Sequence, residues 1–131
     1  MTSLLDTLNA ALQELGCDPS RFQFDTHSSV VMGFADVGEL LLDPVDDMVY
    51  LWGRLDTSPA DRFSNRADEL LAALSSPAAH FANGCLALRQ LDEGCLVGGA
   101  LQPDCRQESS LLASAIEGFH ARVLELQALL R

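Results

Sequence analysis

The feature that most constrains this chain is a change in hydrophobic period, from about 3.6 residues to two and back again. Over residues 3–15, Leu4, Leu5, Leu8, Ala11, Leu12 and Leu15 recur at helical spacing, with Asp6, Asn9, Gln13 and Glu14 between them, which predicts an amphipathic helix. Ser3 is placed to cap its start, Asp6 suits the positive end of the helix dipole, and Gly16 suits the stop before Asp18-Pro19. From Ser28 the period is two: Val30, Met32 and Phe34 point one way, Ser29, Val31 and Gly33 the other. Asp36-Val37-Gly38 reads as a turn, 39–43 as a second short strand, 44–47 as another turn and 48–55 as a third strand, together an antiparallel meander. In the third strand Met48, Tyr50 and Trp52 share one face and Val49 and Leu51 the other, the pattern of a sheet covered on both sides.

Helical spacing returns after Ser58-Pro59, a hydroxyl cap followed by proline at the first helical position. Phe63, Ala67, Leu70, Leu71 and Leu74 form one stripe, so a middle helix is predicted over 58–74, ending before Pro77. A hairpin of 85–91 and 95–101, joined by Asp92-Glu93-Gly94, comes next, and Pro103 ends it. Asp104 and Gln107 have capping-box spacing, and Leu112, Ile116, Phe119, Val123, Leu126 and Leu130 predict a final helix. The order α-β-β-β-α-β-β-α predicts an α+β fold, an antiparallel sheet flanked by helices, within one domain over residues 1–131.

Charge narrows the partners. Twelve Asp and seven Glu stand against eight Arg and no Lys, a net charge of −11, so the protein's own field repels nucleic acid and suits a basic or mixed-charge polypeptide. The apolar runs fall well short of the roughly 20 residues of a membrane span. No basic residue precedes the first apolar positions, so no secretory signal and a cytoplasmic location are expected.

Motifs for chemistry are sparse. Cys17, Cys85, Cys95 and Cys105 form no C-x₂₋₄-C unit, so neither a metal site nor a structural disulfide is expected; Cys85 and Cys95 read as strand residues packed as small hydrophobes. There is no G-x-x-x-x-G-K-[ST], G-x-S-x-G or H-E-x-x-H string. His27, His80 and His120 read as capping or surface residues, and Asp43, Asp46 and Asp47 as a solvated turn. Gly98-Gly99 lies inside a strand, which predicts a bulge or the close approach of another backbone. No catalytic residue, cofactor or metal is predicted. The competing reading is a small acidic ligand-binding or hydrolytic domain that uses its His and Cys residues.

Four strings, in order and spacing, carry a resemblance over essentially the whole chain: Gly16-Cys17-Asp18-Pro19, Asp25-Thr26-His27-Ser28, Met48-Val49-Tyr50-Leu51-Trp52 and Gly118-Phe119-His120-Ala121-Arg122. With the size, acidity and element order, they make the sequence similar to the class I type III secretion chaperones of the invasion protein B type, also called surface presentation of antigens protein K. The resemblance implies a bacterial, virulence-associated, non-enzymatic homodimer whose middle helix contributes to the subunit interface. It implies a secreted effector as partner, its N-terminal segment held extended in apolar grooves and added to a sheet edge, and an export-apparatus ATPase as a further partner. On this basis the expected effector-binding residues are Leu5, Leu8, Val30, Met32, Phe34 and Leu40. The expected dimer residues are Phe63, Ala67, Leu70 and Leu74. The final hairpin, rich in Cys, Ala and Gly, departs from the bulkier strand residues of that family.

Overall fold

A computed structural model describes residues 4–17, 29–55, 64–92 and 94–130. The elements run α1 (Leu4–Glu14), β1 (Val30–Phe34), β2 (Gly38–Val45), β3 (Met48–Leu55), α2 (Ala67–Ser75), β4 (Ala87–Gln90), β5 (Cys95–Ala100), a 3₁₀ turn (Pro103–Arg106) and α3 (Ser109–Leu129). This is the predicted α+β order. The five strands form one open antiparallel sheet in the order β1-β2-β3-β5-β4.

The period of two sorts the strand residues onto two faces. Val30 and Met32 of β1, Leu40 and Leu42 of β2, Val49, Leu51 and Leu55 of β3, and Cys95 and Val97 of β5 are buried on the inner face. Leu8, Ala11 and Leu12 of α1 and Leu112, Ile116, Phe119, Val123 and Leu126 of α3 close the same core, each large side chain contributing about 1.5–3 kcal/mol by leaving water. α1 packs on α3, and α3 lies on β3.

Two glycines set how closely these parts meet. At Gly53 in β3 a Cβ would come 2.8 Å from Val123 Cγ2 and 3.4 Å from Phe119 Cζ, so α3 crosses the sheet where a strand residue has no side chain. At Gly98 (φ 153°) a Cβ would stand 1.9 Å from the Leu51 carbonyl oxygen. The β3–β5 register runs without interruption from Tyr50↔Ala100 to Leu55↔Cys95. Of the two alternatives for Gly98-Gly99, close backbone approach is therefore the one observed.

Local chemistry explains most boundaries. Gly16 (φ 77°) donates its N–H to Gln13 O at 3.0 Å and Cys17 to Leu12 O at 2.9 Å, the paired bonds of a Schellman stop. Gly38 (φ 82°) ends the Ala35-Asp36-Val37 turn, and Val37 N–H donates to Asp36 Oδ1 at 2.9 Å.

Four boundaries differ from expectation. The middle helix expected over 58–74 is interrupted at Arg66 (φ −107°, ψ 8°), and α2 starts at Ala67. β2 continues through Pro44, which pairs with Val49 and leaves only Asp46-Asp47 in the turn; Pro44 lies past Leu42, the last residue of β2 paired to β1, so one flank of the strand there has no partner strand among the described residues. β4 is shorter than 85–91, and Cys85 is exposed before it. Asp104 is no capping-box residue: it sits in the 3₁₀ turn, where its carbonyl accepts from Gln107 and Glu108 N–H at 3.2 and 3.1 Å, and Glu108 precedes α3 without a side-chain cap bond. Ser3, Asp18-Pro19, Asp25-Thr26-His27-Ser28, Ser58-Pro59, Phe63 and Glu93 lie outside the described residues.

Candidate functional surfaces

Among the described residues three surfaces offer themselves for binding: the outer sheet face, the sheet edges and the exposed side of α2. The outer face carries the alternate strand residues. In register, Val31 (β1), Leu41 (β2), Trp52 (β3), Gly98 (β5) and Ala87 (β4) form one row across all five strands. Val31, Leu41, Tyr50, Trp52 and Leu96 are half-buried, so this face is apolar without being fully covered. Tyr50 and Trp52 stack with ring centroids 5.8 Å apart and planes 5° from parallel, and the Arg89 guanidinium stands 5.9 Å from the Trp52 centroid.

Both edge strands are paired on one side alone among the described residues: β1 with β2, β4 with β5. All four residues of β4 are exposed. At the β1 edge the Ser29 hydroxyl donates to Asp43 Oδ1 at 2.9 Å, fixing the strand entry. Beyond the far end of β1, His120 Nε2 and Asp36 Oδ1 are 2.8 Å apart, and the His120 ring lies 5.2 Å from that of Phe34. The His120 hydrogen bond holds the Asp36 carboxyl below its ordinary value. From the same helix, the Gln127 side-chain amide donates to Val37 O at 2.9 Å and Arg54 O at 3.1 Å. The β1–β2 turn is thus latched to α3.

On α2 the apolar stripe divides. Leu70 and Leu74 are buried, whereas Ala67 is exposed and Leu71 is 66% exposed. A cleft of about 320 Å³ lies between α2 and α3, lined by Ala73, Ser76, Arg122, Glu125, Leu126 and Leu129.

The expected effector-binding residues separate in the same way. Leu8, Val30, Met32 and Leu40 sit together in the core, Phe34 is half-buried at the end of β1, and the Leu5 side chain lies outside what is described. Their strand neighbours Val31 and Leu41 offer the accessible apolar area instead. Of the dimer residues, Leu70 and Leu74 are buried in the core, Ala67 is exposed, and Phe63 is outside the described residues.

Reading by sequence missed three groups. It passed over the Arg89–Trp52 contact, the Asp36–His120 latch, and Arg122, whose guanidinium reaches the carbonyls that end α2. The last had a signal, since the last turn of α2 has no basic residue of its own.

The competing chemical reading rests on His and Cys residues. His120 is held by Asp36, His80 sits half-buried at φ 74°, and His27 is outside the described residues. All four cysteines are free thiols, and burial pushes those of Cys95 and Cys105 up. Among the described residues no three His, Cys, Asp or Glu side chains gather as a metal site would require, and no helix is long and apolar enough to cross a membrane.

An open five-stranded antiparallel sheet with α1 and α3 on one face, in the order α-β-β-β-α-β-β-α, is a secretion-chaperone-like fold. The particular family follows from the residues themselves. Residues 16–92 match the Invasion protein B family, and the chain belongs to it, a family related to type III secretion. The chain is also similar to the surface presentation of antigens protein SpaK of Salmonella typhimurium and of Salmonella typhi. Each is 29% identical over 119 residues, covering 89% of this chain and 87% of the relative.

Proposed function

We propose that the protein is a cytoplasmic, non-enzymatic chaperone of type III secretion that works as a homodimer and keeps the N-terminal segment of a secreted effector extended for export. Family membership supports the setting. The observation that carries the mechanism is an open sheet whose edge strand β1 has one unpaired flank among the described residues, beside the half-buried apolar Val31 and Leu41. An extended segment would add to such an edge, with main-chain hydrogen bonds giving affinity and alternate side chains giving choice. The segment orders only on binding, so it stays unfolded enough to enter a narrow channel, and no nucleotide is required. The exposed Leu71 and Ala67, on the flank of the buried α2 stripe, would meet a second copy. An export ATPase is a further partner on this reading.

The test is capture of secreted proteins from the native host, then truncation of each captured partner. The expected result is a dimeric complex that depends on a segment near the partner's N-terminus, with Val31→Asp or Leu41→Asp weakening it and leaving the fold intact. A monomer that captures nothing, or a partner that binds equally well without its N-terminal region, overturns the reading.

A further inference from the structure

One sequence string of the family resemblance, Gly118-Phe119-His120-Ala121-Arg122, has no role in the proposed strand addition. The structure shows it as a junction. Phe119 is buried against Phe81, with ring centroids 5.5 Å apart, and under Gly53; His120 holds the β1–β2 turn through Asp36. Arg122, three residues beyond Phe119, turns to α2. Its Nη2 donates to Ala73 O at 2.6 Å and Ser76 O at 3.5 Å, and its Nη1 donates to Pro77 O at 2.9 Å.

These carbonyls lie at the C-terminal end of α2, where the helix dipole is negative; Ala73 O accepts the Ser76 N–H at 3.3 Å and takes Arg122 as a second donor. α2 supplies no basic residue in its own last turn, and its nine residues are too few to be stable alone in water. Leu70 and Leu74 bury its inner side. Two leucines on one face allow a helix to roll and to fray. A planar guanidinium donating to three carbonyls, those of Ala73, Ser76 and Pro77, resists both, because its donors are fixed in a fork. Arg122 therefore holds the roll of α2 that turns Leu70 and Leu74 inward and leaves Ala67 and Leu71, on the flank of the same stripe, exposed.

We propose that Arg122 is a positioning residue for the subunit interface: it fixes the end and the roll of α2 so that Ala67 and Leu71 meet a second copy, without touching that copy itself. The proposal rests on the homodimer reading. The experiment measures the dimer dissociation constant by sedimentation equilibrium, and amide exchange over Ala67–Ser75, for the full chain and for Arg122→Gln, Arg122→Lys and Leu71→Glu.

Arg122→Gln is expected to weaken the dimer about tenfold, the scale of one lost charge-assisted hydrogen bond, and to speed exchange at the end of α2. Arg122→Lys, which keeps the charge and loses the fork, should fall between it and the parent. It carries the same test if Arg122→Gln does not fold. A lower unfolding midpoint with an unchanged dissociation constant overturns the proposal, since a purely stabilising contact would give that result. If Leu71→Glu dissociates the dimer and the Arg122 variants do not, the dimer reading stands and the positioning role falls. A parent chain that sediments as a monomer overturns both.

Discussion

At the scale of the residue, two glycines that look alike in the sequence do different work. A methyl group added at Gly53 meets side chains, of which Val123 is β-branched and wholly buried. Gly53→Ala should cost about 1–3 kcal/mol through overpacking. At Gly98 the methyl group would meet the Leu51 carbonyl, which is fixed in the β3–β5 ladder and cannot rotate away. Gly98→Ala should exceed about 3 kcal/mol or prevent folding. Urea unfolding of both variants checks the order; equal losses would mean that the strands separate easily at Gly98. Asp36 gives a prediction in pH. Its carboxyl is held below the usual 3.8 chiefly by the His120 hydrogen bond. A lowered folded value contributes stability that is present above the unfolded value and lost as pH falls through the folded one. His120→Ala should move the Asp36 titration upward, read by carboxyl carbon NMR, and the gap in stability between parent and variant should narrow as the solution is acidified below that range. A titration that does not move removes the latch.

At the scale of the element, much of the fold was legible because the patterns are strong and the stops have simple chemistry. Leu8, Ala11 and Leu12, the alternation from Val30 to Phe34, and the stripe Leu112, Ile116, Phe119, Val123 and Leu126 each occupy the face that their spacing predicts. What failed depends on neighbours. Pro44 reads as a turn residue until one knows that β1 stops opposite Leu42. Asp104 and Gln107 have the right spacing for a capping box, but a 3₁₀ turn already uses those atoms. The residues that the resemblance suggests for a binding groove are strongly apolar, and the same property draws Leu8, Val30, Met32 and Leu40 into the core. A half-covered face holds residues such as Val31 and Leu41, which the alternation assigns to the other side but does not mark as exposed. The α2 stripe shows the same ambiguity in adjacent residues, and a substitution pair resolves it. Leu70→Ala should lose about 2–4 kcal/mol of folding stability in dilute protein, as a buried leucine does. Leu71→Ala should lose less than about 0.5 kcal/mol there, and should act only where the chain is concentrated enough to associate. Equal losses in dilute solution would place Leu71 in the monomer core and leave α2 no outward apolar face.

At the scale of the whole molecule, charge acts on both proposed associations with opposite sign. The chain carries −11, and four of the five described arginines, Arg66, Arg89, Arg106 and Arg122, are turned onto their own fold: toward Glu69, Trp52, the Asp46 carbonyl and the end of α2. Two copies approaching through α2 bring like fields together, and each copy also repels itself. Screening shortens the reach of those fields from about 14 Å at 50 mM salt to about 4 Å at 0.5 M. Raising salt across that range should therefore tighten the dimer and raise the unfolding midpoint, because an apolar helix face loses nothing to screening. A partner segment with net positive charge should respond in the other direction, its association slowing as salt rises. Sedimentation equilibrium at the two salt concentrations and stopped-flow binding at the same two separate these effects. A dimer that loosens with salt would mean that ion pairs between subunits, and not the Ala67 and Leu71 face of α2, hold the copies together.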